Sequence, residues 1–382
     1  MKMVRTKSNS QRVVRIMLIF ICVLLFLLAA LAGWLLIISP GKMAPLLDEN
    51  GREVPGGICE KIFVPIGGVQ QGMFIRGKDK TNPVLLFVHG GPGMPEYMFA
   101  EKYPTGMEDL FTVCWWEQRG AGLSYSTSIS PKGVTVEQMI ADTLEVTDYL
   151  RQRFGQDKMY LMSHSGGTFF GIQAAARAPE RYYAYIGIAQ ISRQADSERE
   201  AYAYMMNQYQ AAGNEKMVQK LLKHPILDSN DAIDEYTLSM LRDEAMHELG
   251  IGTMHNMNSV ITGIFLPVMA SRAYTLEEKI NIWRGKAMIN RSTELRHKIN
   301  TTDLTKVVPR LDVPVYFLSG IYDYTVSYTG SKDYLAKLHA DVKGFYTFEQ
   351  SAHCPLFEEP ERFLQILRED VLTGTTAFSD AE

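Results

Sequence analysis

The chain has 382 residues, 46% of them hydrophobic and 21% charged, with a formal net charge of −4. That length and composition suit a globular α/β core with an insertion. They exclude a general nucleic-acid binder, since runs of basic residues are absent beyond position 15.

The first fifteen positions carry Lys2, Arg5, Lys7, Arg12 and Arg15. An uncharged run, Ile16 to Ile38, follows and ends at Ser39-Pro40-Gly41. A bilayer core of about 30 Å needs roughly 20 apolar residues, so 16–38 is expected to be a transmembrane anchor. The preceding positive charge predicts a cytoplasmic basic head over 1–15 and a catalytic domain outside the cytoplasm, on a single-pass cell-membrane protein. A buried core helix would show a polar face, which this run lacks. A cleaved signal peptide is the competing reading, because Ala30-Leu31-Ala32 has a small-x-small pattern. Trp34-Leu35-Leu36-Ile37-Ile38 would be a very apolar mature terminus, so an uncleaved anchor is preferred.

Residues 39–57 are rich in Gly, Pro and charge and read as a stalk. Ile58–Pro65 and Val69–Arg76 flank Ile66-Gly67-Gly68 as an expected antiparallel hairpin. Val84–Val88 and Leu110–Trp116 are apolar runs of the kind found in strands covered on both faces. Helical spacing covers Val136–Phe154. A strand at Lys158–Met162, a small-residue helix at Gly166–Ala178 and a strand at Tyr183–Ala189 follow. From 192 to 310 the sequence is charged, Met-rich and helical, which predicts an inserted cap. Strands return at Val313–Ser319 and Gly344–Glu349, with helices near Ser331–His339 and Glu361–Leu367. Alternating strands and helices predict a largely parallel sheet covered on both faces, with core segments 58–191 and 311–382.

Three short stretches carry chemistry. Ser165 lies in Ser163-His164-Ser165-Gly166-Gly167, between a strand and a helix. Asp323 and His353 each follow one of the last two predicted strands. The order nucleophile, acid, base, with the serine on a tight strand-to-helix turn, is that of a Ser-His-Asp acyl-transfer site. In this reading His353 is the general base and Asp323 orients its ring. Asp312 is a poorer acid because it precedes its strand, whereas sites gather at the carboxyl ends. His164 is expected to pack the turn. The oxyanion hole is expected from the N–H groups of Gly166 and of Gly91 in His89-Gly90-Gly91-Pro92-Gly93. Ser163 departs from the usual Gly-x-Ser-x-Gly by replacing the first glycine. The cysteines, Cys22, Cys59, Cys114 and Cys354, form no disulfide framework, and no zinc spacing exists. No metal is expected.

Together with His89-Gly90-Gly91-Pro92-Gly93, the stretch Trp116-Glu117-Gln118-Arg119-Gly120-Ala121-Gly122-Leu123-Ser124 and His353-Cys354-Pro355 resemble the proline iminopeptidase branch of the α/β hydrolases. The resemblance runs from Ile58 to Leu367. It implies an eight-stranded, mostly parallel hydrolase core with a helical cap, no cofactor, and release of an N-terminal residue, often proline, from short peptides. In that branch Trp follows the nucleophile and Asp precedes Gln-Arg-Gly; here Gly166 and Glu117 stand there. The resemblance also implies cap carboxylates that bind the substrate amine. Glu244 and Glu248 lie in the right region, although a solvated helix face accounts for them more simply. A small peptide or ester is the expected substrate and the lipid bilayer the expected partner. A carboxylesterase or lactonase on the same scaffold is the alternative, and a catalytically silent anchored binding protein a third.

Overall fold

The computed structural model describes residues 4–226 and 229–380. Lys2 of the basic head lies outside the described residues. Eight strands form one sheet in the order β1-β2-β4-β3-β5-β6-β7-β8. They are β1 (Ile58–Ile66), β2 (Val69–Gly77), β3 (Val84–Val88), β4 (Thr112–Trp116), β5 (Met159–His164), β6 (Tyr182–Ile188), β7 (Val315–Gly320) and β8 (Lys343–Phe348). β1 and β2 form the antiparallel hairpin anticipated at Ile66-Gly67-Gly68, and β2 also runs antiparallel to β4. From β4 to β8 every neighbour is parallel. The eight-stranded, mostly parallel α/β architecture is the expected one.

Side chains alternate across the sheet, so one strand feeds two cores. In β3, Val84, Leu86 and Val88 join the larger apolar cluster, while Leu85 and Phe87 join that on the other face. Helix α2 (Tyr97–Lys102) contributes Tyr97, Met98 and Phe99 to the second face. The helices α3 (Val136–Phe154) and α4 (Gly166–Arg177) cover the first face with Met139, Ile140, Val146, Leu150, Phe169 and Phe170.

Between β6 and β7 the chain leaves the sheet and runs as helices. These are α5 (Gln194–Ala211), α6 (Glu215–Leu221), α7 (Asn230–Tyr236), α8 (Met240–Glu248), α9 (Leu266–Ala270), α10 (Leu276–Ile289), α11 (Thr293–Thr301) and α12 (Leu304–Val307). Helices α5 to α8 have their own small core, built on Tyr202, Met205, Tyr209, Leu221, Ile233, Tyr236 and Met246. After the cap come α13 (Tyr328–Lys337), α14 (Pro355–Glu358) and α15 (Pro360–Ile366).

Among the described residues one helix, α1 (Val4–Ile37), precedes the sheet. Over Gln11–Ile37, 27 residues, it is long and apolar enough to cross a membrane, and none of its most apolar window is buried in the protein. The segment after it is bound to the body. Pro40 forms an antiparallel bridge with Thr275, Lys42 N donates to Arg272 O at 3.0 Å, and Arg76 Nη1 donates to Ala44 O at 2.9 Å.

Candidate active site

The elbow is built by close crossing of α4 over the sheet. Ser165 has φ 52° and ψ −125°, a conformation that non-glycine residues rarely hold. Its N–H donates to Ile188 O at 2.9 Å, which locks the turn to the end of β6. Gly167 lies so near β3 that a Cβ there would overlap Val88 O. Ser163, at the place usually held by glycine, is accommodated from the other side: a Cβ on Gly171 would overlap its Oγ. A glycine has in effect moved from strand to helix.

Asp323 follows β7 and is buried. Its Oδ1 accepts from the N–H groups of Thr325 and Val326, both at 2.9 Å. Its Oδ2 meets Nδ1 of His353 at 2.9 Å. The rival Asp312 is exposed and pairs with Arg310. The loop holding His353 is fixed by two acids at the carboxyl end of α14, its last residue Glu358 and its cap Glu359. Glu358 accepts from Ala352 N at 3.0 Å, and Glu359 accepts from Gln350 N at 2.9 Å and from Ser351 Oγ at 2.6 Å. Burial raises the Glu358 carboxyl to about 7. Ser165, His353, Gly91 and Gly166 line one cavity of about 440 Å³ beneath the cap.

Gly91 has φ 111°, and a Cβ on Gly166 would stand 3.4 Å from Gly91 N, so the two backbones meet. Among the described residues neither N–H has a partner. The rest of the two family motifs shapes this loop. His89 Nε2 accepts from Gln118 N at 3.1 Å, which leaves Nδ1–H to donate to Gly90 O at 2.9 Å. Burial drives the His89 imidazole down to about 4, in keeping with that neutral form. Arg119 is buried and grips Asp142 through Nε and Nη2, both at 2.8 Å. Glu117, where the branch has Asp, reaches Tyr274 Oη at 2.5 Å and Leu123 N at 2.5 Å. Burial raises it to about 8. The longer side chain thus ties the core motif to the cap.

His164 does more than pack. Its Nδ1 meets Glu96 Oε2 at 2.8 Å and its Nε2 meets the His353 carbonyl at 2.8 Å. The His164 and His353 rings lie 4.8 Å apart. Glu96 Oε1 also accepts from Gly90 N at 2.8 Å. One buried carboxylate therefore links the glycine loop, the elbow and the histidine loop. Glu96 escaped sequence reasoning; its only signal was a lone acid in the apolar stretch Met94 to Ala100. Cys354 is buried with its thiol pushed well up, as suits a core cysteine rather than a nucleophile.

Glu244 and Glu248 are not among the residues lining the cavity. Glu244 pairs with Lys220, and Glu248 accepts from Tyr209 Oη. The cap carboxylates that line it are Glu198 and Asp243. Glu198 is held by Arg242 through two 2.7 Å contacts, while Asp243 Oδ1 receives Arg242 Nη1 at 3.2 Å. Lys286 of α10 donates to Gly91 O at 3.0 Å and Pro92 O at 3.2 Å, so the cap also holds the glycine loop. Burial lowers its ammonium to about 8.

The sheet, the elbow and the cap define an α/β hydrolase, and the family profile for the α/β hydrolase fold matches residues 83–360. The chain belongs to that family. Within it the chain is proline iminopeptidase-like. It is 31% identical over 306 residues to the "Probable aminopeptidase YbaC" of Bacillus subtilis (strain 168), covering 79% of this chain and 93% of that one. It is 24% identical over 309 residues to the "Proline iminopeptidase" of Saccharolobus solfataricus, covering 76% and 84%. The solved proline iminopeptidase of Mycobacterium smegmatis shares the fold, with a TM-score of 0.58, 14% identity, and coverage of 82% of this chain and 98% of that one.

Proposed function

We propose that this hydrolase is a membrane-anchored serine aminopeptidase of proline iminopeptidase type, acting on short peptides outside the cytoplasm. Ser165 is the nucleophile, His353 the base and Asp323 its orienting acid. The observation that carries the reading is the buried 2.9 Å contact of Asp323 with Nδ1 of His353, a ring that lines the same cavity as the strained Ser165.

Asp323 spends Oδ1 on two backbone N–H groups and presents Oδ2 to the ring, so His353 keeps its proton on Nδ1. Nε2 is then free to take the Ser165 proton as Oγ attacks the scissile carbonyl. The oxyanion is received by the unpartnered N–H groups of Gly166 and Gly91. His353 passes the proton to the leaving amine, an acyl-enzyme remains, and water activated by the same ring releases the acid. No cofactor takes part. The cap carboxylates Glu198 and Asp243 are the groups we assign to the substrate's free amine. Gly166, in the place of the branch's Trp, opens the acyl pocket to residues other than proline.

The test is turnover of aminoacyl-arylamides and short-chain esters by the full chain in detergent, beside Ser165→Ala. Amidase activity that needs a free α-amine, lost by roughly three orders of magnitude or more in the variant, is the expected result. Ester cleavage alone would replace the peptidase reading with the carboxylesterase or lactonase one.

A further inference from the structure

The stretch 256–271 contains no charged residue. Most of it is one apolar helical segment, Ile261–Ala270, that begins as a π turn and continues as α9. Its two sides have different surroundings. Val260 and Ile264 line the catalytic cavity, and Gly263, Pro267 and Val268 are buried. Ile261, Phe265 and Leu266 face outward, exposed by 64%, 42% and 50%. Ile280 of α10 is 42% exposed, and Trp283, one turn further on, packs its ring 5.7 Å from that of Phe265. An outward apolar face on one wall of the cavity is uncommon in a protein surrounded only by water.

This face adjoins the place where α1 enters the body. Lys279 is buried in the same helix α10, and its ammonium donates to Ser39 Oγ at 2.8 Å, Ile38 O at 3.4 Å and Met269 O at 2.7 Å. A single cation thus closes the carboxyl ends of α1 and α9 together. The Pro40–Thr275 bridge and the Lys42–Arg272 bond add a backbone attachment at the junction of α9 and α10. A helix that leaves a bilayer at Ile37 therefore delivers α9 and α10 to the membrane surface. The segment 261–270 reaches at most about 15 Å from that junction, at 1.5 Å per residue. Between residues 272 and 284 the exposed charges are Arg272, Glu277 and Arg284, two cations to one acid, a balance that tolerates anionic headgroups.

We propose that the cap is seated on the bilayer through Ile261, Phe265, Leu266 and Ile280, so that the wall of the catalytic cavity formed by Val260, Ile264 and Trp283 lies one helix away from the lipid. The proposal rests on the anchored reading of α1. It adds a second, peripheral contact, which fixes the orientation of the cap on the membrane instead of leaving the domain to swing from a tether.

The test uses the full chain in nanodiscs of phosphatidylcholine and phosphatidylglycerol. Cys22→Ala and Cys59→Ser remove the accessible thiols, and a single cysteine at Ile261, Phe265 or Ile280 carries an environment-sensitive fluorophore. Labels at Leu222 and Tyr183, exposed positions away from this face, serve as references. Lipids spin-labelled near the headgroup should quench the three patch labels several-fold more than the references. Equal quenching at all positions would overturn the seat, as would patch labels that are dry yet unquenched, which would mean a protein partner. Vesicle flotation of the same chain separates the two readings. A chain that fails to float refutes the anchor, whereas one that floats with water-exposed patch labels refutes only the seat.

Discussion

Proton inventory at His164 decides what Glu96 does. The His353 carbonyl can only accept, so His164 Nε2 carries a proton. The contact from Nδ1 to Glu96 needs one more, and Glu96 Oε1 is already accepting from Gly90 N. Burial pulls the His164 imidazole down, but the Glu96 carboxylate outweighs it and the net shift is upward. Burial likewise pushes Glu96 up, but His164 holds it below its ordinary value. The pair is accordingly an ion pair near neutral pH. The raised imidazole gives stability that is full below its ordinary value of 6.5 and is lost as pH climbs through the raised one. The depressed carboxyl gives stability that is present above its ordinary value of 4.5 and is lost as pH falls through the lowered one. Glu96→Gln keeps the acceptor for Gly90 but breaks the ion pair. It should lower kcat by about ten- to a hundredfold with a smaller change in KM, because the glycine loop and His353 drift from register. Its thermal stability should also lose the pair's share of the dependence on pH at both the acid and the alkaline end, a change that simple loosening of the loop would not produce. Unaltered kcat and an unaltered pH profile would remove Glu96 from the positioning network.

The helix α4 shows how an element can carry a departure from its motif. Sequence pattern places Ser163 where a glycine belongs, and only the packing of α4 reveals the compensation at Gly171. Gly171→Ala should overpack the elbow and cost about 1–3 kcal/mol or more. Ser163→Gly should be close to neutral alone and should rescue Gly171→Ala in the double variant, a coupling that denaturant unfolding can measure. Additive effects would mean that the two sites do not share that space. The same element marks what was legible in advance. Sequence pattern marks β3 to the residue because it is apolar on both faces, and α3 because its apolar stripe lies in the local sequence. Sequence pattern ends β5 at Met162, because Ser163 and His164 do not look like strand residues, yet the strand runs through them to the elbow. The positions of Ser165, Asp323 and His353 were readable because each directly follows a strand signal. The cap was not readable at the same depth. The phase of α8 depends on what it packs against: Arg242, Ala245 and Met246 are buried and turn Asp243 toward the cavity, whereas Glu244 meets Lys220. No local pattern announces that Glu198 and Arg242 will pair across the cap.

For the whole molecule, the energetics of exposed side chains bear on the fate of α1. Cleavage after Ala32 would leave Gly33 to Ile38 on the mature chain, with Trp34, Leu36 and Ile37 exposed by 55%, 61% and 74%. Transferring such side chains from water to lipid is favourable by about 1.5–3 kcal/mol each. Lys279 would still bind Ile38 and Ser39, so the severed end could not move away from the cap to hide. An intact helix removes that cost and satisfies the same ammonium. For an intact helix the excess of basic residues before the apolar run, Lys2, Arg5, Lys7, Arg12 and Arg15 against Lys42 and Arg52 after it, predicts a cytoplasmic N-terminus. An alkaline phosphatase fused after Glu382 should be active in bacterial cells, and the full-length chain should sediment with membranes and resist alkaline carbonate extraction. Replacing Lys2, Arg5, Lys7, Arg12 and Arg15 with asparagine should reduce that orientation without changing the length of the product. A soluble chain beginning at Gly33 would establish cleavage instead, and an inactive fusion on an intact, membrane-bound chain would reverse the orientation.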